Sequence, residues 1–550
     1  MSRVATLWLS LCIAFPILAT TYYVDNSKGS GGDGSKDRPW NRINDALPNI
    51  YAGDTLFIRG DVESPRIYAE HLRLVNAGTK DQPIVIMAYP GEWVEIQGGG
   101  TTSIVKLNKG GYVFENLIFN HLDGESDAIK IKSSYNVMRN CTIKNGKRDG
   151  IDIGSGDYNI IENSTIYDFD TGTRQDAHGI VLDEGYGNII RNNRIYDCSG
   201  DCIQIYSGTA RWTVIENNEL FTTRGSGSEN AIDVKTTFGV RIIGNVMYGF
   251  RRSAGSQGNA VVIHHDADSV IMKYNRIYDS NGGIRIGGNP GNWPDHVILE
   301  RNLVHDLVDE GKYSVDGYAI QLDGVADVKM YNNTFANIPG PLFWIDSDGV
   351  VDVDIRNNLF YNGQEFHGSQ SNLSGTIRID YNGWFNCPER FDGEPNPVIG
   401  DDPQFVNPAA YDYRLQAGSP AIDAGDPAFG NRFPGGRIDL GAFEFEQPTG
   451  FQPPTEGPQG YLLLRNYPNP FNPYTTIEFS LPRSGWVRLE IFNILGQSVK
   501  RLITGYLSAG QYQLQWDATD DTGRPAPGGV YFYRLILESQ QMTQKMFLVR

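Results

Sequence analysis

Short runs that alternate Ile, Val or Leu with polar residues recur in the same order along most of this chain. The phrases FENLIFN, RNCTIKN, IENSTIYD, IRNNRIYD, IENNELFT, IGNVMYGF, KYNRIYDS, ERNLVHDL, YNNTFANI and IRNNLFYN align on one apolar anchor. The anchors are Ile118, Ile143, Ile166, Ile195, Leu220, Met247, Ile277, Val304, Phe335 and Phe360, spaced 23 to 31 residues apart. Two residues earlier stand Asn116, Cys141, Ser164, Asn193, Asn218, Asn245, Asn275, Asn302, Asn333 and Asn358. Asparagine tolerates left-handed backbone at a turn, and its amide can bond the same amide in a neighbouring repeat, so this column implies a stack. Between these phrases recur DAIKI, DGIDI, HGIVL, DCIQI, NAIDV, NAVVI, GGIRI and YAIQL, each a short strand of period two. Two or three strands per coil, repeated through at least ten coils, predict an all-β, right-handed parallel β-helix.

The flanks of the repeat fit that reading. PWNRINDALPNI, from Pro39, predicts a short amphipathic helix capping the first coil, and TLFIRG and PIVIMAY begin the stack. TIRIDYNGWF closes it near Phe385, followed by a closing tail through DYRLQAGSPAIDAG and IDLGAFEF. Residues 446–460, EQPTGFQPPTEGPQG, read as a Pro/Gly linker, and 461–550 alternate as a small β-sandwich would. Within the sandwich, DATDDTG reads as a hairpin turn rather than a calcium loop.

Composition narrows the class. The chain has 550 residues and a formal net charge of −18, which argues against generic nucleic-acid binding and against attraction to anionic membranes. An acidic polymer could approach only through a local cationic patch or a bound metal, so each Lys, Arg and His becomes informative. Residues 1–20, with Arg3 before an apolar run from Leu7 to Leu18, read as a secretory signal peptide, and no other stretch is long and apolar enough to span a bilayer. The expected product is secreted or held at the cell surface, and monomeric. Cys141, Cys198, Cys202 and Cys387 lack zinc spacing; Cys198 and Cys202 either bridge a turn or stay reduced.

Candidate chemistry comes from the outward side of the second recurring strand. In AIDV the two apolar residues face into the coil, which leaves two outer columns. One runs Lys130, Asp152, Val181, Gln204, Asp233, Val262, Arg285, Gln321; the other runs Lys132, Gly154, Asp183, Tyr206, Lys235, His264, Gly287, Asp323. Just before the strand come Asp127, Asp149, His178, Asp201, Asn230, Asn259 and Gly282. Lys235 and His264 are therefore expected on successive coils, with Asp201 and Tyr206 one coil before Lys235 and Arg285 one coil after His264.

GTKDQPIVIMAYPGEWVEIQG resembles the first coils of β-helical polysaccharide lyases of the chondroitinase B and alginate lyase type. That resemblance implies a lysine base on one coil, an arginine–histidine pair on the next, and acidic or amide residues before the lysine that hold calcium. Here ENAIDVK supplies Glu229, Asn230, Asp233 and Lys235, while VVIHHDAD puts His264 and His265 where arginine–histidine would stand. The expectation is β-elimination of a uronate-containing polysaccharide with Lys235, His264, Arg285 and Tyr206 catalytic. His265, His178 and Gln204 would bind substrate, and Glu229, Asn230, Asp233 and Asp201 would bind Ca2+. A second reading rests on DGIDI and SGDCIQI, which are similar to polygalacturonase phrases and would make Asp149 and Asp201 an inverting acid/base pair. A third is a glycan-binding or adhesive surface protein without catalysis. NYPNPFNPYTTIEFSLP, AGQYQLQWDATDDTGRPAPGGVYFYRL and KMFLVR resemble the C-terminal sorting domain of type IX secretion in Bacteroidetes-like bacteria, which implies that export machinery as a partner.

Overall fold

The computed structural model describes residues 19–445 apart from 171, 173–175, 226, 253–255, 290 and 430–435, and most of 463–549. The expected signal peptide, but for its last two residues, and the expected linker lie outside the described residues. The chain divides into two units, 1–447 and 448–550, each with its own core.

The first unit is a right-handed parallel β-helix. Three sheets run its length, two with fourteen described strands each and one with eleven. Every coil buries its inward Ile, Val, Leu or Phe against the same position of the next coil, and those positions are solvent-free. Ile143, Ile166, Ile195, Leu220, Met247, Ile277, Val304, Phe335 and Phe360 pair in unbroken register, as the anchors predict. The first anchor is the exception, because Phe119, not Ile118, pairs with Ile143. The asparagine column slips with it, since Leu117 rather than Asn116 fills the slot beside Cys141.

The slip shows that two adjacent positions do two different jobs. The left-handed backbone belongs to the residue before the column, at Asn140, Asn163, Asn192, Asn217, Gly244, Tyr274, Arg301, Asn332 and Asn357. The column itself is a buried amide ladder. Asn275 donates from Nδ2 to Asn302 Oδ1 at 2.9 Å, and Asn302 donates to Asn333 Oδ1 at 2.9 Å. The row runs from Asn193 to Asn382, where Glu394 accepts the last amide at 3.0 Å. Each amide also satisfies a backbone carbonyl, such as Met272 O at 3.0 Å from Asn302 Nδ2, so a corner that strands cannot cover keeps its hydrogen bonds.

Short elements pack at both ends of the solenoid. A short helix, Ile43–Ala46, buries Ile43 and Ala46 over the first coil, and Glu70 accepts from Ile43 N at 2.9 Å and Asn44 N at 3.1 Å. At the other end the hairpin Phe405–Asn407 with Asp412–Leu415 sets Tyr413 against His305, ring centroids 4.9 Å apart. All four cysteines of the described chain are free, and three are buried. Connections into the third sheet vary widely. Gly146 reaches Ile151 and Cys198 reaches Ile203 by short turns, whereas Phe169 to Ile180, Phe221 to Ile232 and His305 to Ile320 are long. The second unit holds a three-stranded and a four-stranded antiparallel sheet around Ile477, Leu489, Ile491, Trp516 and Leu535.

Candidate active site

The outward column of the third sheet is in register throughout. Gln204 pairs with Asp233, Asp233 with Val262, Val262 with Arg285, and Arg285 with Gln321. The strand Ile232–Val234 presents Asp233 outward between inward Ile232 and Val234, and Lys235 follows at its end. On the next coil Asn259–His264 ends at His264. Lys235 Nζ lies 3.1 Å from Asp233 Oδ2, and His264 Nε2 lies 2.8 Å from Asp233 Oδ1. One carboxylate thus gathers an ammonium and an imidazole from two coils. Tyr206 completes the group, its ring centroid 5.4 Å from Lys235 Nζ and its side chain 57 % exposed. His265, in left-handed backbone at φ 54°, packs against His264 with centroids 4.2 Å apart and the rings tilted by 32°.

Outward does not mean exposed here. Asp233 is only 4 % exposed and Asp201 is fully buried. Burial therefore dominates the electrostatics. Burial pushes the Asp233 carboxyl up, but His264 and Lys235 outweigh it and hold the group below its usual range. Burial pulls the Lys235 ammonium down, and the charges of Asp233 and Asp201 more than reverse this, so Lys235 keeps its proton more tightly than a free lysine. Burial, then the charge of Asp233, raises Asp201 to about 6. Burial, then Asp201 and Asp176, raises Glu229 to about 8. Burial, then His264 and Lys235, lowers the His265 imidazole.

Three expected site residues take other roles. His178 is buried between two carboxylates, with Nδ1 2.9 Å from Asp149 Oδ1 and Nε2 3.6 Å from Asp201 Oδ2. Burial lowers its basicity, yet these carboxylates win and raise it, so the ring bridges two acids and is buried rather than presented to a ligand. Gln204, also buried, donates to Asp201 Oδ2 at 3.0 Å. Asn230 donates to Asp201 Oδ1 at 2.8 Å, so each oxygen of this solvent-free carboxylate accepts from a buried amide. The same arrangement bears on the hydrolase reading. The His178 ring occupies the space between Asp149 and Asp201 where an inverting pair needs a water, and Asp201 reaches no solvent.

Glu229, Asn230, Asp233 and Asp201 are all hard oxygen donors, and the two oxygens of Asp233 already face Lys235 and His264. Asn230 Oδ1 is buried without a hydrogen-bond partner, and Glu229 is raised first by burial and then by the charges of Asp201 and Asp176, so the donor chemistry fits a divalent cation such as Ca2+. Among the described residues, Asp295, His296 and Asp327 also come together elsewhere on the solenoid, their ligand atoms all within 4.8 Å; no residue of this set was expected from the sequence.

Known proteins resemble this chain in pieces. Residues 22–231 match the family model of the Pel9A-like, right handed beta helix region, and 230–390 match the right handed beta helix region. Residues 474–540 match the FlgD Ig-like domain. The two helix matches meet at Asn230, so Lys235, His264 and Arg285 all fall in the second, more general one. A pectate lyase, PEL9 of Emericella nidulans, is 29 % identical over 93 residues, which is 17 % of this chain and 22 % of that enzyme. The chain therefore spans about a fifth of the length of the curated relative it matches. Of solved structures, pectate lyase Pel9A is 16 % identical with a TM-score of 0.43, over 78 % of this chain and 96 % of that one. XylC in complex with xylose is 12 % identical with a TM-score of 0.48, over 96 % of this chain and 100 % of that one.

Proposed function

We propose that the first unit cleaves a uronate-containing polysaccharide by β-elimination in the groove over Asp233. The observation that carries this reading is the convergence of Lys235, His264 and Tyr206 around one buried carboxylate. The short match to a pectate lyase supports polygalacturonate as the first polymer to test. In the reaction Lys235 Nζ takes the proton from C5, the C4–O4 bond breaks as the C4–C5 double bond forms, and His264 or Tyr206 returns a proton to O4. Lys235 must first lose its own proton, which the neighbouring carboxylates oppose. Ca2+ held by Glu229, Asn230 and Asp233 would supply positive charge against both the lysine and the substrate carboxylate. The resting ion pair with Asp233 then serves to hold Nζ in place.

We read residues 1–20 as a signal peptide and 461–550 as a type IX sorting domain, which together would put the enzyme outside the cell. The match of 474–540 to an immunoglobulin-like model and the two antiparallel sheets support a sandwich at that end.

The test is a screen of polygalacturonate, alginate and chondroitin for ultraviolet-absorbing unsaturated ends, with and without chelator. Product formation lost in EDTA and lost about 10²-fold or more in Lys235→Ala, with an unchanged melting curve, is expected. Reducing ends without ultraviolet gain, or full activity in Lys235→Ala, would defeat the reading.

A further inference from the structure

Arg285 stands out on this acidic face of the third sheet. Its strand, Gly282–Gly287, faces Ile284 and Ile286 inward and Arg285 outward. Arginines of nearby coils are ion-paired, Arg251 to Asp279, Arg252 to Asp316 and Arg301 to Glu444. Among the described residues Arg285 has no carboxylate within ion-pair distance, and its Nε is buried with no hydrogen-bond partner. Asp323, on the following coil, feels the arginine's charge without forming an ion pair with it. Beside Arg285 in register, Gln321 is 2 % exposed and its Oε1 is likewise buried and unpartnered. A permanently charged guanidinium left with a desolvated donor is costly unless a ligand completes it.

We propose that Arg285 and Gln321 form a distal subsite for a second sugar carboxylate of an acidic polymer, rather than part of the proton-transfer group. This rests on the reading of the groove as a uronate site. The chemistry is complementary, because a uronate offers a carboxylate to accept from the Arg285 fork and adjacent hydroxyls to donate to Gln321 Oε1. The Asp233 and Arg285 positions are two coils apart, about 9.6 Å at the usual strand spacing. That is the reach of roughly two sugar residues, so a chain lying along the axis with one carboxylate at Lys235 brings a later one to Arg285. The enzyme would then require two charges at a fixed separation, discriminating against polymers esterified at the second position.

The experiment uses full-length Lys235→Ala protein and calorimetric titration with hexagalacturonate, hexamannuronate and the methyl ester of whichever binds. Arg285→Gln added to it is expected to weaken the acid about tenfold or more and leave the ester unchanged. Gln321→Leu should weaken both forms by a smaller factor. In the otherwise native chain, Arg285→Gln should raise KM with kcat nearly constant, and Arg285→Lys should recover part of the loss. Unchanged affinity for the acid, a fall in kcat at constant KM, or a parent protein that binds neither oligomer would overturn the proposal. If no polymer is cleaved but Arg285→Gln still abolishes the preference for the acid, the subsite stands and the elimination reading falls. If polymer is cleaved and Arg285→Gln binds as before, the reverse holds.

Discussion

Asp233 is the residue on which the site turns. A carboxylate only 4 % exposed, shared between Lys235 and His264, fixes both groups while also keeping the lysine charged. Its neighbour Glu229 provides a test at the same scale. Its carboxyl is raised to about 8 by burial and nearby acids, while the unfolded chain titrates near 4.5. The folded state therefore holds a proton that the unfolded state releases, so stability present at low pH is lost as pH rises between these values. Glu229→Gln should flatten that decline, read as the urea midpoint against pH, and added Ca2+ should raise the midpoint of the parent more at pH 8 than at pH 5. A parent midpoint that does not fall across this window would remove Glu229 from the account. Nothing in the alternation of residues signals depth at this scale. Period two told which side of the strand Asp233, Gln204 and Arg285 occupy, and the register agrees. It could not tell that His178, Gln204 and Asp201 lie buried, because alternation reports a side of the strand and not how much chain covers it.

At the scale of the element, the ladder accounts for the regularity of the solenoid. Asn302 accepts from Asn275 N at 3.0 Å and Nδ2 at 2.9 Å, and donates to Met272 O and Asn333 Oδ1. Asn302→Ala would strand these partners in a solvent-free corner, and a loss of about 3 kcal/mol is expected from denaturant unfolding. A loss under about 1 kcal/mol would mean that water or a shift of the corner replaces the amide. Here the chain was almost fully legible, since eight of ten aligned positions carry Asn. The misreading at Asn116 has a simple cause. Asn suits both the ladder and the left-handed residue before it, and in that coil only the second use is made while Leu117 fills the ladder slot.

For the molecule as a whole, the two units have separate cores, one dominated by Ile and Val in the solenoid and one around Trp516 and Leu489 in the sandwich. A chain ending at Gln447 should therefore keep the far-ultraviolet spectrum expected of a β-helix, its melting transition and any polymer cleavage. Loss of the solenoid transition on truncation would show that the sandwich supports it. Fold class was readable because repetition multiplies a weak local pattern through many coils. Catalysis was not, because it depends on a few side chains that appear once.

The unequal connections into the third sheet carry a further consequence. Strand register in all three sheets is held by the stacked anchors and amides, so a segment such as Phe221 to Ile232 or His305 to Ile320 can gain or lose residues without disturbing the coil beneath it. Evolution, or an engineer, can thus lengthen or shorten these connections as independent parts, while the spacing between outward positions on the strands stays constant like marks on a ruler.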